Sequence, residues 1–153
     1  MNQDCACLCG ASRFTVAGNP IGRFFCHCTI CQKVYGKPFA DVTYFWAESV
    51  ALQNDQSVAF RRYRPPPAMR RGTCAKCGNP VVSLAGRGLA LAFVPSQNFA
   101  RPAELPPPDC HIFYRWRVAD IPDNVPKLSG YWASQARVTR TILADLLGRK
   151  RAA

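Results

Sequence analysis

Cys7-Leu8-Cys9-Gly10 and Cys74-Ala75-Lys76-Cys77-Gly78 are two cysteine knuckles, each closed by a glycine and lying far apart in the chain. Tetrahedral zinc takes thiolates about 2.3 Å away, and tight turns that present two sulfurs are the usual way to supply them. Glycine after the second ligand lets the chain reverse with φ > 0. The two knuckles can therefore close one four-thiolate site between remote segments. Cys5 is a rival partner for Cys7, although no glycine follows Cys7. A closed site of this kind is structural and leaves no position for a substrate. Metal binding then adds to folding directly, on the order of 10–16 kcal/mol in isolated peptides.

The middle cluster, Cys26-His27-Cys28-Thr29-Ile30-Cys31, differs. It offers three sulfurs, and three protein ligands with an open position is the arrangement of a catalytic zinc. Three thiolates leave the ion net negative and weaken its Lewis acidity, so the site suits an external thiol better than water. Two other readings stay open: Cys5 or Cys110 closes the site as a fourth ligand, or the cluster stays metal-free and redox-active. His27 sits between two ligand cysteines and would point away from the metal in extended geometry. His111, beside Cys110, can face the open site as a proton carrier or be a hydrogen-bonded, half-buried histidine.

Around these clusters the chain has 153 residues, of which 48% are hydrophobic. That fits one domain with its own core and excludes global disorder. The N-terminus is polar and the longest apolar run, 89–94, is too short to span a bilayer. The expected location is the cytoplasm, with no membrane contact; there nine cysteines favour metal over disulfides. The formal net charge of +11 draws anions without choosing among them.

Short β-rich segments recur at 13–16, 23–26, 39–45, 58–63, 81–84, 89–94 and 112–115. Gly18-Asn19-Pro20, Gly36-Lys37-Pro38, Gly78-Asn79-Pro80 and Gly86-Arg87-Gly88 punctuate them. Thirteen prolines, with triplets at 65–67 and 106–108, argue against long helices over most of the chain. The expectation is a mainly β protein of antiparallel sheets, with a short turn at 46–51. A helix is expected over 134–147, where Val138, Ile142 and Leu146 recur every four residues beside Leu143 and Leu147. Ser134 is its expected N-cap, Gly148 its end, and Arg149-Lys150-Arg151 suit the negative end of its dipole. The division expected is a zinc-binding domain over 1–131 and a basic amphipathic helix over 132–153. That helix would pack on the domain or make a homodimer contact.

Four ordered motifs carry a resemblance. Cys7-Leu8-Cys9-Gly10-Ala11-Ser12-Arg13-Phe14 comes first, then Cys26-His27-Cys28-Thr29-Ile30-Cys31 with Gly36-Lys37-Pro38-Phe39. Arg71-Gly72-Thr73-Cys74-Ala75-Lys76-Cys77-Gly78-Asn79-Pro80 follows. His111-Ile112-Phe113-Tyr114 and Asp120-Ile121-Pro122-Asp123-Asn124-Val125-Pro126-Lys127 close the set. Over roughly 5–131 the chain resembles the glutathione-dependent formaldehyde-activating enzymes, a family that also contains centromere protein V. The resemblance implies a β-tent fold, a structural zinc on Cys7, Cys9, Cys74 and Cys77, and a substrate-side zinc on Cys26, Cys28 and Cys31. It also implies condensation of glutathione with formaldehyde to S-hydroxymethylglutathione, a carbon–sulfur lyase activity. The tail at 134–153 and Cys5 depart from the family pattern and inherit nothing from it.

The first functional expectation is thus a zinc-dependent lyase or synthase acting on thiol adducts of a small carbonyl, with two zincs per chain. Lys33, Lys37 and Arg115 are candidates to bind glutathione carboxylates, from their proximity to the motifs, and His111 is the candidate acid–base group. The second is a zinc-stabilised binding module with both metals structural, contacting a protein partner or nucleic acid through basic patches. Its support is Arg61, Arg62, Arg64, Arg70 and Arg71, with Tyr63 among them, and the basic tail. A solvated basic surface outweighs nucleic acid as the reading of those charges.

Overall fold

The computed structural model describes residues 1–65, 69–86 and 90–152, with side chains to residue 148 in the last helix. The expected turn at 86–88, the triplet at 65–67 and the basic end at 149–151 lie wholly or partly outside the described residues.

The strands are β1 (Asn2–Ala6), β2 (Arg13–Ala17), β3 (Gly22–Cys26), β4 (Ala40–Trp46), β5 (Val50–Leu52), β6 (Val58–Arg61), β7 (Arg70–Cys74), β8 (Pro80–Ala85), β9 (Leu91–Pro95), β10 (Cys110–Ile112) and β11 (Lys127–Leu128). The helices are α1 (Thr29–Tyr35) and α2 (Tyr131–Ala152). A small sheet runs β1-β2-β5 and a large one β11-β10-β3-β4-β9-β8-β7-β6. The architecture is mainly β, as expected, and every pairing is antiparallel except those of β10, which runs parallel to β3 and β11.

The large sheet is buried on both faces at its centre, so β4 reads as a nearly continuous apolar run. Its period of two sorts that run into two cores. Phe45 packs with Phe14, Val16, Val94 and Phe99 on the side that faces the small sheet. Val42, Tyr44 and Trp46 turn the other way, joining Phe24, Cys26, Phe93 and Ile112. Phe14, Phe45 and Val94 are wholly removed from solvent, each stabilising the fold by about 1.5–3 kcal/mol.

α2 closes the second core. Val138, Ile142 and Leu146 pack against it, and the Trp46 indole Nε1–H donates to Asp145 Oδ2 at 2.7 Å. Leu143 and Leu147, counted with that stripe in the sequence, point outward and are 50% and 58% exposed. The helix begins three residues before Ser134, so Ser134 is not its N-cap. Its hydroxyl instead donates to Gly130 O at 2.7 Å and accepts the Phe113 backbone N–H at 2.9 Å. Phe113 explains why 112–115 is not a strand. It adopts a left-handed φ of 56°, ending β10, and a 3-10 turn follows over Tyr114–Trp116.

Candidate functional site

The hairpin β1–β2 carries Cys7 and Cys9 at its tip, and β7–β8 carries Cys74 and Cys77 at its own. The first tip belongs to the small sheet and the second to the large one, and all four sulfurs lie within 4.8 Å of one another. Cys7 and Cys9 Sγ are 3.4 Å apart, and Cys9 and Cys74 Sγ 3.8 Å. Four thiolates at 2.3 Å from a tetrahedral ion sit about 3.8 Å from each other, so this donor set fits zinc. The turns are built alike: Gly10 N–H donates to Cys7 O and Gly78 N–H to Cys74 O, each at 2.8 Å. Gly10 and Gly78 have φ of 73° and 72° with open space where a Cβ would be. Backbone conformation, not crowding, therefore requires glycine at both. N–H groups also support thiolates here. Ser12 N–H reaches Cys7 Sγ at 3.3 Å, and Asn79 Nδ2 reaches Cys77 Sγ at 3.3 Å, the leading cause of a lowered Cys77 pKa. Cys5 takes no part; it is buried in the core against Phe99.

The second group forms where β3 ends and α1 begins. Cys26 is the last residue of β3, Cys28 is the N-cap of α1 with its sulfur accepting from Cys31 N–H, and Cys31 is buried in the first turn. Their sulfurs also lie within 4.8 Å of one another, and neither Cys5 nor Cys110 joins them. The Cys28 thiol is held below its ordinary range. Bonds with Cys26 and Cys31 lower it most, followed by the Cys31 N–H and the Arg71 charge. This group, too, can hold a metal ion, with one side unfilled by protein.

That side is a cavity of about 360 Å³, within the range of small-molecule sites. Phe24, Val42, Phe93 and Ile112 line it, with Phe113, Trp116, Tyr131 and Val138 opposite. Among the described residues its cations are Arg64 and Arg71. Sheet register brings Arg71 there: it pairs with Ser83, and Ser83 with Phe93, so the three form one row on one face. Arg71 therefore faces the thiols instead of joining a solvated basic patch.

Lys33, Lys37 and Arg115 do not line this cavity, because their elements aim them elsewhere. Lys33 is exposed on α1. Lys37 donates to Gln97 and borders a separate cavity of about 300 Å³ near the Arg23–Asp41 ion pair. Arg115 stacks over Trp116, 5.0 Å from its ring centre.

His111 is placed differently from a group facing the open thiol site. It pairs with Phe25, while its neighbour Ile112 pairs with Cys26, so alternation turns its ring to the opposite face of the sheet. There it is fully buried and lies 2.8 Å from His27 Nε2 and 3.0 Å from Asp123 Oδ2. Asp123 is held down to about 2, first by Lys127 and then, against some burial, by His111. Its carboxylate accepts His111 Nε2–H, so His111 Nδ1 accepts from His27 Nε2–H. Burial first, then His111, keeps His27 neutral, down to about 4. The row Asp123–His111–His27 thus props the backbone between Cys26 and Cys28. His111→Ala should cost about 2–4 kcal/mol, by leaving the buried His27 without its partner and a void where the ring was, while Asp123, partly exposed, keeps Lys127. Urea unfolding of the metal-loaded protein reads that loss, with glutathione affinity expected to hold within about twofold. An unchanged urea midpoint with a lost reaction would return His111 to catalysis.

Among the described residues no helix is long and apolar enough to cross a membrane. A family model described as glutathione-dependent formaldehyde-activating enzyme matches residues 2–116. No curated protein matches the chain. The match ends before β11 and α2, so the helix wall of the cavity lies beyond it.

Proposed function

We propose, from the premise that this chain belongs to the glutathione-dependent formaldehyde-activating enzyme family, that it binds two zinc ions and acts as a carbon–sulfur lyase or synthase on thiol–carbonyl adducts. One observation carries the reading. Four sulfurs close on each other at the hairpin tips, whereas three sulfurs open onto a cavity that also holds Arg71.

Zinc on Cys26, Cys28 and Cys31 supplies a fourth position that lowers a thiol's pKa and fixes its sulfur. The chain's own residues do the rest. Arg71, whose charge already acts on Cys28 and Cys31, receives a carboxylate of the thiol substrate, with Arg64 near the same side. Phe24, Val42 and Ile112 keep water from the reacting sulfur. The thiol's S–H bond breaks, its sulfur bonds to the carbonyl carbon, and the proton ends on the carbonyl oxygen; the reverse splits the adduct. A glutathione-like thiol is the substrate, and nine free cysteines support a reducing compartment such as the cytoplasm as the site of action.

Sulfur-edge or zinc-edge absorption of the metal-loaded protein tests this directly. Saturating glutathione should add one metal–sulfur contact, and an unchanged spectrum removes the proposal's centre. Arg71→Leu should weaken glutathione binding by about 10- to 100-fold, the usual worth of a charge-assisted bond. Calorimetric titration measures it, and undiminished affinity would take Arg71 out of recognition.

A further inference from the structure

The walls of the cavity differ in chemistry. The cations that line it among the described residues, Arg64 and Arg71, come from the β6–β7 side. The opposite wall is Phe113 and Trp116 with Tyr131, Ser134, Gln135 and Val138 of α2; Ser134 is already bonded to Gly130 and Phe113, Gln135 is exposed at its edge, and among the described residues no charged side chain lines it. This wall is fixed. Ser134 ties α2 to the Phe113 N–H, Asp145 ties it to Trp46, and Val138 continues into the packed stripe of Ile142 and Leu146.

Glutathione carries two carboxylates, an ammonium and two amides. Burying these against an apolar wall without partners is costly, so they belong on the arginine side. The apolar side is then left for the carbonyl component, and formaldehyde would bring only one carbon to it. Resting on the reading above, we propose that α2 makes this site specific for adducts of a larger carbonyl, an aldehyde bearing an apolar or aromatic group. That group lies against Val138, Tyr131 and Trp116. The chemistry balances without a redox partner: the S–H bond breaks, a C–S bond forms, and the proton moves to the carbonyl oxygen. The product is a hemithioacetal, the S-(1-hydroxyalkyl) derivative of the thiol.

Two thioethers that cannot react test the cavity alone: S-benzylglutathione and S-methylglutathione, titrated calorimetrically into metal-loaded, full-length protein. The benzyl compound should bind about 10-fold tighter or more, the worth of burying one ring. Val138→Trp should fill the apolar side, erase that preference and leave the methyl compound's affinity unchanged. Trp116→Ala, at a partly exposed position, should reduce the preference without depending on how Val138→Trp folds. Equal affinity for the two compounds, no binding of either, or equal losses for both in the variants would overturn the proposal. Failure of the lyase reading shows separately, as no new metal–sulfur contact with glutathione while the two thioethers are still told apart.

Discussion

Cys74→Ser is expected to yield a chain that does not fold at all, not a folded protein with a weakened site. The sulfur lost is one of four that bring the tip of β7–β8, in the large sheet, to the tip of β1–β2, in the small one, in a group that can hold one metal ion. A structural zinc is worth on the order of 10–16 kcal/mol in isolated peptides, and a whole domain is stable by about 5–15 kcal/mol. Removing one of four ligands forfeits most of the first quantity and so exhausts the second. The core between the sheets, built on Phe14, Phe45 and Val94, then loses the link that holds its two halves together. The expected result is loss of near-ultraviolet circular dichroism, no cooperative thermal transition, and loss of metal from both cysteine groups. A cooperative protein that keeps one bound metal would refute the structural role.

Cys28→Ser should do the opposite, preserving the fold and removing the reaction. Serine still caps α1, because its oxygen accepts from Cys31 N–H as the sulfur does. The second core needs Phe24, Phe93 and Ile112, which the exchange leaves in place. What disappears is one of the three sulfurs that can hold the ion. Metal content should fall from two per chain to one, the thermal midpoint should move by only a few degrees, about 1 kcal/mol, and the thiol–aldehyde reaction should fall to its uncatalysed rate. Retained metal and full turnover would show that the CHCxxC loop does not hold the working site. Paired with Cys74→Ser, this variant separates stability from chemistry: the same residue type fails in opposite ways at the two groups.

The cysteine partition was legible before any coordinates, because ligand spacing and a trailing glycine are local properties. Cys9 was favoured over Cys5 as the partner of Cys7 on the same ground, since Gly10 closes the Cys7–Cys9 knuckle whereas Leu8, not glycine, follows the Cys5–Cys7 pair. Most strands were legible as short runs of β-branched and aromatic residues. The helix α1 was not, because Thr29-Ile30-Cys31-Gln32-Lys33-Val34-Tyr35 is too short to show a period and lies inside a metal motif. Neither was β10, whose three residues run parallel to β3 and gain their stability from neighbours distant in sequence. Strand β7, with Arg70-Arg71-Gly72-Thr73, reads as a charged stretch until its partners are known.

Sequence alone established the chemistry available: seven thiols in two kinds of arrangement that can hold a metal, a mainly β chain, an apolar stripe in the last helix and a surplus of positive charge. Tertiary structure decided where that chemistry points. Cross-strand register turned Arg71 toward the thiols and His111 away from them, and the docking of α2 gave the cavity an apolar wall. The physical reason is that ligand spacing is set within one turn of chain. The face a strand residue presents depends instead on which strands it pairs with, and a shift of one residue in that pairing reverses every side chain.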